Sequence, residues 1–218
     1  MKKILIFAIA IVAATSGCIE DDTTINNDPL ENDPITLKIN AFPKESLTAE
    51  EILSLNWMRE EEKLAQDVYL TLYDKWNINI FSNIASSEKT HTNSVLALLK
   101  KYNLPDPVGS NGIGVFSDNS LQTIYNELVP QGMASLLDGY KVGATIEDLD
   151  IMDLNNWIEK VDNEDLIYVF ENLNKGSRNH MRSFYSQILN SGGTYTAQYI
   201  SQFEFDEIIN GAKENGSW

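Results

Sequence analysis

Apolar side chains recur along this chain at alternating steps of three and four residues, the spacing of one buried face of an α-helix. Four long segments carry the pattern, at about residues 48–76, 81–102, 133–157 and 163–192. Shorter amphipathic helices are expected from Ser120 and near residues 204–212. The pattern predicts an all-α fold in which four long helices share one core.

Residues that begin and end helices divide the chain at the same places. Thr48 and Glu51 have the spacing of a capping box, and Asp162 is expected to cap the fourth helix. Pro105 follows the second helix, and Gly192 follows the fourth. About 30 residues separate helices two and three, enough to run the length of a bundle. We therefore expect an antiparallel four-helix bundle with a long crossover between helices two and three.

Charged residues interrupt the apolar face of every long helix near its middle. They are Glu62 on the first helix, Glu88 and His91 on the second, Glu147 and Asp150 on the third, and His180 on the fourth. Burying a carboxylate is costly unless a positive charge compensates it, and a metal ion is a common partner. The neighbouring acids Glu60 and Glu61 fall off this face, so we expect them to face solvent.

The spacing of these residues matches a dimetal template with one departure. In ferritin-like dimetal proteins a Glu comes from each of two helices and a Glu-x-x-His from each of the other two. Helix four here has Ser177 three residues before its histidine, and Asp150 is an extra acid that could compensate. We expect a tighter site formed by Glu62, Glu88 and His91, and a weaker one formed by Glu147, Asp150 and His180.

Each of these residues also has an ordinary structural interpretation. A histidine on a core face is often only a hydrogen-bonded core residue, and His180 taken alone fits that description. Buried glutamates can pair with an arginine, for which Arg59, Arg178 and Arg182 are available. Asp150 could equally cap a backbone segment. The coincidence of all six residues on the core faces favours the metal site.

The first residues resemble a secretion signal. Met1-Lys2-Lys3 precedes an apolar run from Ile4 to Ala14, which is too short to span a bilayer. Small residues then precede Cys18, the only cysteine of the chain, as in the lipobox of secreted lipoproteins, although Thr15 replaces the usual Leu. We predict a signal peptide over residues 1–17 and lipidation of Cys18. The alternative is an ordinary secreted protein with one free thiol.

Composition places the remaining boundaries. Residues 18–45 are rich in Asp, Asn, Thr and Pro and predict a flexible acidic tether that ends in an extended piece at residues 35–39. Residues 46–192 form the predicted bundle, and the aromatic residues 193–218 form a tail that packs on it. The chain has 32 acidic and 16 basic residues and a formal charge of −16, which argues against binding nucleic acid.

Four segments resemble an uncharacterised ferritin-like family catalogued as domain of unknown function 2202. They are residues 55–69, 87–91, 143–154 and 172–180, which include LNWMREEEKLAQDVY, SEKTH and NLNKGSRNH. The resemblance spans about residues 53–189. It implies a ferritin-like four-helix bundle related to rubrerythrin-type dimetal proteins. In that superfamily a ligand Glu precedes a Tyr by seven residues, which matches Glu62 and Tyr69. The resemblance implies no established activity.

These expectations combine into a lipoprotein held on the outer face of the cell membrane, with metal ions as its partners and a homodimer allowed. We expect one or two iron ions, with manganese or zinc as alternatives, because carboxylates and imidazoles suit such ions. The function would be a redox reaction of oxidase or peroxidase type. The alternatives are a non-catalytic metal-binding protein and a helical interaction module.

Overall fold

The computed structural model describes residue 28 and residues 30–216, and this part of the chain contains helices and no strands. The helices are α1 (Pro34–Ala41), α2 (Ala49–Trp76), α3 (Asn79–Tyr102), α4 (Asn119–Gly132), α5 (Leu136–Ile158), α6 (Glu164–Asn190) and α7 (Gln202–Asn210). The predicted all-α fold class is confirmed.

The long helices pack in pairs. Only Asn77, in a left-handed conformation with φ 53°, and Ile78 separate α2 from α3, so the chain reverses and the two helices lie along each other. In the same way α5 packs along α6. The two pairs then meet through contacts of α3 with α6 and of α2 with α5.

The core consists of two apolar clusters. One includes Tyr69, Phe81 and Phe184, and the other includes Leu98 and Phe170. Each long helix contributes to both clusters, and in α2, α3 and α6 the polar residues of the apolar face lie in sequence between the two contributions. In α5, Glu147 and Asp150 lie between Ile146 and Ile151 of the first cluster, and Leu154 follows in the second. The clusters are therefore separated by a polar layer that all four long helices supply.

The predicted capping box at the start of α2 is confirmed, and its glutamate also contacts a second helix. The Glu51 carboxylate accepts hydrogen bonds from the Thr48 N–H at 2.8 Å, the Asp162 N–H at 3.2 Å and the Asn163 N–H at 3.1 Å. Glu51 is fully buried. It therefore joins the start of α2 to the start of α6, where Asn163 and not Asp162 is the cap.

Glu60 and Glu61 are buried, so the prediction that they face solvent was wrong. Glu60 accepts hydrogen bonds from the backbone N–H groups of Ser117 at 2.6 Å and Asp118 at 2.9 Å. Lys63 donates to the Gly112 carbonyl at 2.8 Å. The connection between α3 and α5 thus lies on the side of α2 that helical periodicity marks as exposed, because periodicity cannot show which loop covers a polar face.

Other boundaries differ from the sequence expectations for local reasons. Residues 35–39 are helical, not extended, because Asp33 caps α1 and Pro34 occupies its first turn. Helix α5 begins after the cap Ser135, and Met133, which was expected to begin it, is the C-cap of α4. The predicted signal peptide and Cys18 lie outside the described residues.

The tail after α6 is fixed by a buried carboxylate that the sequence did not single out. Asp148 accepts hydrogen bonds from the Tyr195 hydroxyl at 2.7 Å and the Ile200 N–H at 2.9 Å. This anchors the segment that leads into α7. None of the helices in residues 28 and 30–216 combines the length and apolar composition needed to cross a bilayer.

The hydrogen bonds of Glu51 make stability depend on pH. Burial alone would raise the pKa of its carboxyl, but the donors of Thr48, Asn163 and Asp162 outweigh burial and hold the pKa below its usual 4.5. The folded state therefore favours the carboxylate. This contribution is complete above pH 4.5 and is lost as the pH falls through the folded-state pKa. Glu51→Gln should cost about 1–2 kcal/mol at pH 7 and progressively less below pH 4.5.

The measurement is the melting temperature of metal-stripped protein between pH 3 and pH 7, with Glu50→Gln as the matched control. Glu50 is the exposed neighbour of Glu51, and its substitution by Gln removes the same charge. A constant gap between Glu51→Gln and the parent protein over this pH range would contradict the linkage.

Candidate metal centre

The polar layer between the apolar clusters brings together residues from four helices. Glu62 comes from α2, Glu88 and His91 from α3, Glu147 from α5 and His180 from α6. The three glutamates are 1–2% exposed, and His91 is 3% exposed. Only His180 is partly exposed. The structure therefore brings five of the six residues that the sequence predicts as ligands together in one layer.

Glu88 lies at the middle of the group and contacts both histidines. Its Oε2 is 2.7 Å from Nδ1 of His91, and its Oε1 is 2.7 Å from Nδ1 of His180. The two imidazole rings lie 5.5 Å apart between centroids and are nearly parallel, with an interplanar angle of 24°. The two oxygens of one carboxylate thus face two nitrogen donors on opposite sides.

Each histidine has a second carboxylate of its own. Oε2 of Glu62 lies 3.1 Å from Nδ1 of His91, and Oε2 of Glu147 lies 3.5 Å from Nδ1 of His180. In each trio of Glu88, one histidine and one further glutamate, the three donor atoms lie within 4.8 Å of one another. The arrangement consists of two donor sets that share Glu88.

Asp150 does not belong to either set, in contrast to the predicted grouping with Glu147 and His180. Its Oδ2 accepts a short hydrogen bond from the Ser177 hydroxyl. Ser177 stands at the position where the dimetal template has the Glu of its second Glu-x-x-His pair. Asp150 of α5 therefore pairs with the Ser177 hydroxyl, which replaces the glutamate expected on α6. Glu88, and not Asp150, completes the donor set of Glu147 and His180.

Burial opposes ionisation of most carboxyls in the layer. It raises the pKa of Glu62 to about 7, although His91 opposes the shift. Burial likewise raises the pKa of Glu147. For Asp150, burial raises the pKa well above its usual range, and the charges of Glu62 and Glu147 add to the effect. These acids need nearby positive charge to remain ionised.

Glu88 is the exception because it lies between the histidines. Burial would raise the pKa of Glu88, but His180 and His91 together hold it well below its usual range. Burial would lower the pKa of His180, yet Glu88 and Glu147 raise it to about 10. Glu88 is thus the carboxylate of the layer that is most firmly held in its anionic, ligating form.

Several donor atoms of the layer are buried and make no hydrogen bond within the described part of the chain. They are Oε1 of Glu62 and Oδ1 of Asp150, together with Oε1 of Glu88 and Nδ1 of His180, which lie 2.7 Å from each other without the geometry of a hydrogen bond. Buried polar atoms are costly when they remain unsatisfied. Cations with oxygen and nitrogen ligands would satisfy such atoms and supply the charge that the carboxylates need, so the donor set fits a metal centre.

The arginines considered as alternative partners of the core acids bind elsewhere. Arg59 forms an ion pair with Asp106 at 3.0 Å. Arg178 and Arg182 both pair with Glu214, near the C-terminal end of the described chain. The alternative in which these arginines neutralise the buried glutamates is therefore wrong.

The comparisons with known proteins place the chain in a family. Residues 51–212 match the family model described as "Uncharacterized protein domain (DUF2202)". The chain belongs to this family. The matched range includes every residue of the two donor sets. It ends before Glu214, the partner of Arg178 and Arg182.

A relative matches this chain over most of its length. Uncharacterized protein MJ0754 of Methanocaldococcus jannaschii is 56% identical over 178 residues, which are 82% of this chain and 96% of the relative. The crystal structure of hypothetical protein MJ0754 from Methanococcus jannaschii DSM 2661 resembles this fold with a TM-score of 0.78. That match is also 56% identical and covers 80% of this chain and 99% of that one.

Two hydroxyl groups contact the donor sets: that of Tyr69, which the family resemblance paired with Glu62, and that of Ser87, which the sequence did not mark. The Tyr69 hydroxyl donates to Oε1 of Glu147, which leaves Oε2 on the side of His180. The Ser87 hydroxyl lies 3.1 Å from Nε2 of His180. In the neutral tautomer whose Nε2–H donates to Ser87, Nδ1 carries the lone pair. Ligation through Nδ1 requires this tautomer. Sequence periodicity gave no signal for Ser87 because it lies beside the apolar face.

A further buried acid pair lies next to the layer. The Trp57 indole N–H donates to Oε2 of Glu61 at 3.1 Å and to Oδ2 of Asp153 at 2.9 Å. Burial, with the nearby charge of Asp153, raises the pKa of Glu61 well above its usual range. The two carboxyls are therefore joined through one indole donor, and burial favours the protonated form of Glu61.

Gly176 on α6 allows the His91 ring to occupy its position. A Cβ on residue 176 would lie 2.5 Å from Cε1 and 2.7 Å from Nε2 of the His91 ring, closer than non-bonded atoms approach. Glycine weakens a helix interior by about 1 kcal/mol relative to alanine. At this position the missing side chain makes room for a donor of the metal centre.

Gly176→Ala should therefore displace the His91 ring and weaken the donor set of Glu62, Glu88 and His91 by at least about tenfold, a common cost for disturbing a ligand's surroundings. The set that contains His180 should keep its ion. The measurement is metal content per chain, by mass spectrometry under native conditions after dialysis. The matched control is Gly112→Ala, where a Cβ meets nothing within 4 Å. Equal metal content in the two variants would show that Gly176 does not position His91.

Proposed function

We propose that this protein is an extracytoplasmic, ferritin-like metal-binding protein with a dinuclear carboxylate centre that holds iron. The observation that carries the proposal is the position of Glu88, whose two oxygens face His91 and His180 from opposite sides. A carboxylate in that position is suited to bridging two ions. Glu62 and Glu147 then complete the two sets.

The arrangement of helices supports the finer description of the fold. The pairs α2 with α3 and α5 with α6 are both reversing pairs, and the segment that contains α4 runs between them. We propose that the four long helices form the antiparallel bundle of ferritin-like proteins, with the α4 segment as the crossover. In such bundles, ligands project inward from facing helices, as the polar layer does here.

The donor set favours iron, with manganese as the next candidate. Three carboxylates and two imidazoles combine hard oxygen with nitrogen donors, and the absence of thiolate from the described layer disfavours soft ions. Iron held there would supply electrons for reduction of oxygen or peroxide, which is the oxidase or peroxidase chemistry that we propose. Tyr69 orients Glu147, Ser87 sets the tautomer of His180, and the apolar clusters exclude water from both sides.

A second candidate is a non-catalytic metal-binding or structural module at the cell surface. Ser177 favours it, because the Glu of the template's second Glu-x-x-His pair is replaced by a hydroxyl that binds Asp150. With only one carboxylate shared between the two sets, the ions would be held less symmetrically. A structural role needs no redox chemistry, so zinc, which has none, could occupy the site.

Titration of metal-free protein with ferrous ion under anaerobic conditions, and separately with zinc, tests the proposal. We expect two ions per chain, and a loss of both in Glu88→Gln because both sets share that residue. Glu62→Gln should affect mainly one ion, and the exposed Glu50→Gln should affect neither. Full metal content after Glu88→Ala and His91→Ala together would overturn the assignment.

The same variants separate the two candidate functions. A redox centre predicts oxygen- or peroxide-dependent turnover of the iron-loaded protein, with loss of turnover in Glu88→Gln. A structural site predicts no turnover. It also predicts that bound metal raises the melting temperature, with a gain in the free energy of unfolding of about 2.7 kcal/mol when the metal concentration is a hundred times Kd.

We also propose that Cys18 is lipidated and anchors the mature protein to the membrane. The proposal rests on the small residues before the single cysteine and on the acidic segment after it. Cys18→Ala should move the protein from the membrane fraction to the soluble fraction after cell fractionation. Unchanged membrane association of the variant would refute lipid anchoring.

A further inference from the structure

A cavity of about 880 Å³ lies between α3 and α6 and reaches the metal centre. His91 and His180 both contribute to its wall, together with Ser87 and Gly176. The cavity is within the size range of sites that hold small molecules. It therefore offers a route by which a ligand could approach the histidine side of the centre.

The wall carries two lysines that have no carboxylate partner among the described residues. Lys175 donates a hydrogen bond to Oδ1 of Asn172 at 2.7 Å and forms no ion pair there. Lys213 forms no ion pair within residues 30–216. Glu214, the carboxylate of the wall, forms an ion pair with Arg182 at 3.1 Å and another with Arg178. The cavity is thus locally cationic in a chain whose formal charge is −16.

The segment that carries Lys213 is held in place by several bonds. Glu214 accepts from Nε of Arg178 at 2.7 Å and from Nη2 of Arg182 at 3.1 Å. Its backbone N–H donates to Oδ1 of Asn179 at 2.9 Å, and Nδ2 of Asn179 donates to its carbonyl at 3.0 Å. The C-terminal segment 212–216 is therefore a fixed part of the wall.

We propose that this cavity binds a small hydrophilic ligand with an oxyanion group, a carboxylate or a phosphate, between Lys175 and Lys213. The remaining lining supplies neutral amide and hydroxyl groups for the rest of such a ligand, among them Asn83, Asn172 and Ser186. The molecule that carries the anion is the electron donor of the centre: it gives up two electrons and two protons, which reduce oxygen to peroxide or peroxide to water, and it leaves oxidised. This second statement rests on the proposed function. Two unneutralised ammonium groups repel ferrous ion, so the cavity is not its entry route.

The test is calorimetric titration of the purified, metal-free protein with inorganic phosphate and with succinate at low ionic strength. The cavity variant combines Lys175→Gln and Lys213→Gln. The matched control combines Lys75→Gln and Lys89→Gln, which removes the same charge from exposed lysines outside the cavity wall. We expect the cavity variant to bind the preferred anion about tenfold more weakly than the control, which corresponds to about 1.4 kcal/mol.

The two anions distinguish the source of the oxyanion, since the one bound more tightly identifies a phosphate or a carboxylate ligand. Equal affinity of the cavity variant and the control would overturn the proposal. So would the failure of both anions to bind the parent protein at ~10 mM, above the range of a weak millimolar site.

Iron uptake tests the statement about ferrous ion and separates this inference from the proposed function. We expect the cavity variant and the control to take up ferrous ion at equal rates, whereas faster uptake by the cavity variant would show that iron enters there. Anion binding by a protein that retains no metal would overturn the proposed function and leave the cavity site standing. Metal retention without anion binding would do the reverse.

Discussion

The structure depends on the cost of placing ionised carboxylates in the interior of a helical protein. Desolvation of one carboxylate costs several kcal/mol of stability. This chain buries several carboxylates in one layer between two apolar clusters. The contact that makes the layer tenable is Glu88 between His91 and His180, because it places both imidazoles against the most central charge. Glu62 and Glu147 each contact the same ring nitrogen, Nδ1 of His91 and of His180, that Glu88 contacts. The four long helices are thus constrained to meet at one level, whatever else they pack against.

Much of this arrangement is readable in the sequence because helical periodicity reports which residues share a face. Glu88 and His91 are three residues apart on such a face, and this spacing alone indicates that they act together. Periodicity does not report distances between helices, so it could not show that Glu88, rather than Asp150, would reach His180. Nor could it show that the α3–α5 connection would cover Glu60, since that contact depends on where a loop lies in space.

The pairing of Asp150 with Ser177 changes the electrostatics of the layer without changing its donor sets. In the proposed dinuclear centre, three ligand carboxylates would not neutralise two divalent ions, and an ionised Asp150 would supply further charge from outside the donor sets. Relative to the template, a hydroxyl at Ser177 and an acid at Asp150 would thus move one negative charge from α6 to α5.

The wall formed by residues 212–216 lies almost entirely outside the part of the chain that the family shares. The family model ends at residue 212, so the shared part of the chain contains both donor sets but not Lys213 or Glu214. The proposed metal centre therefore lies wholly within the shared part of the chain, whereas the proposed anion site lies partly outside it, at Lys213. A change in the last few residues could alter which molecule reaches the centre without altering the residues that would hold the metal. Relatives with the same centre are free to differ in the molecules they accept.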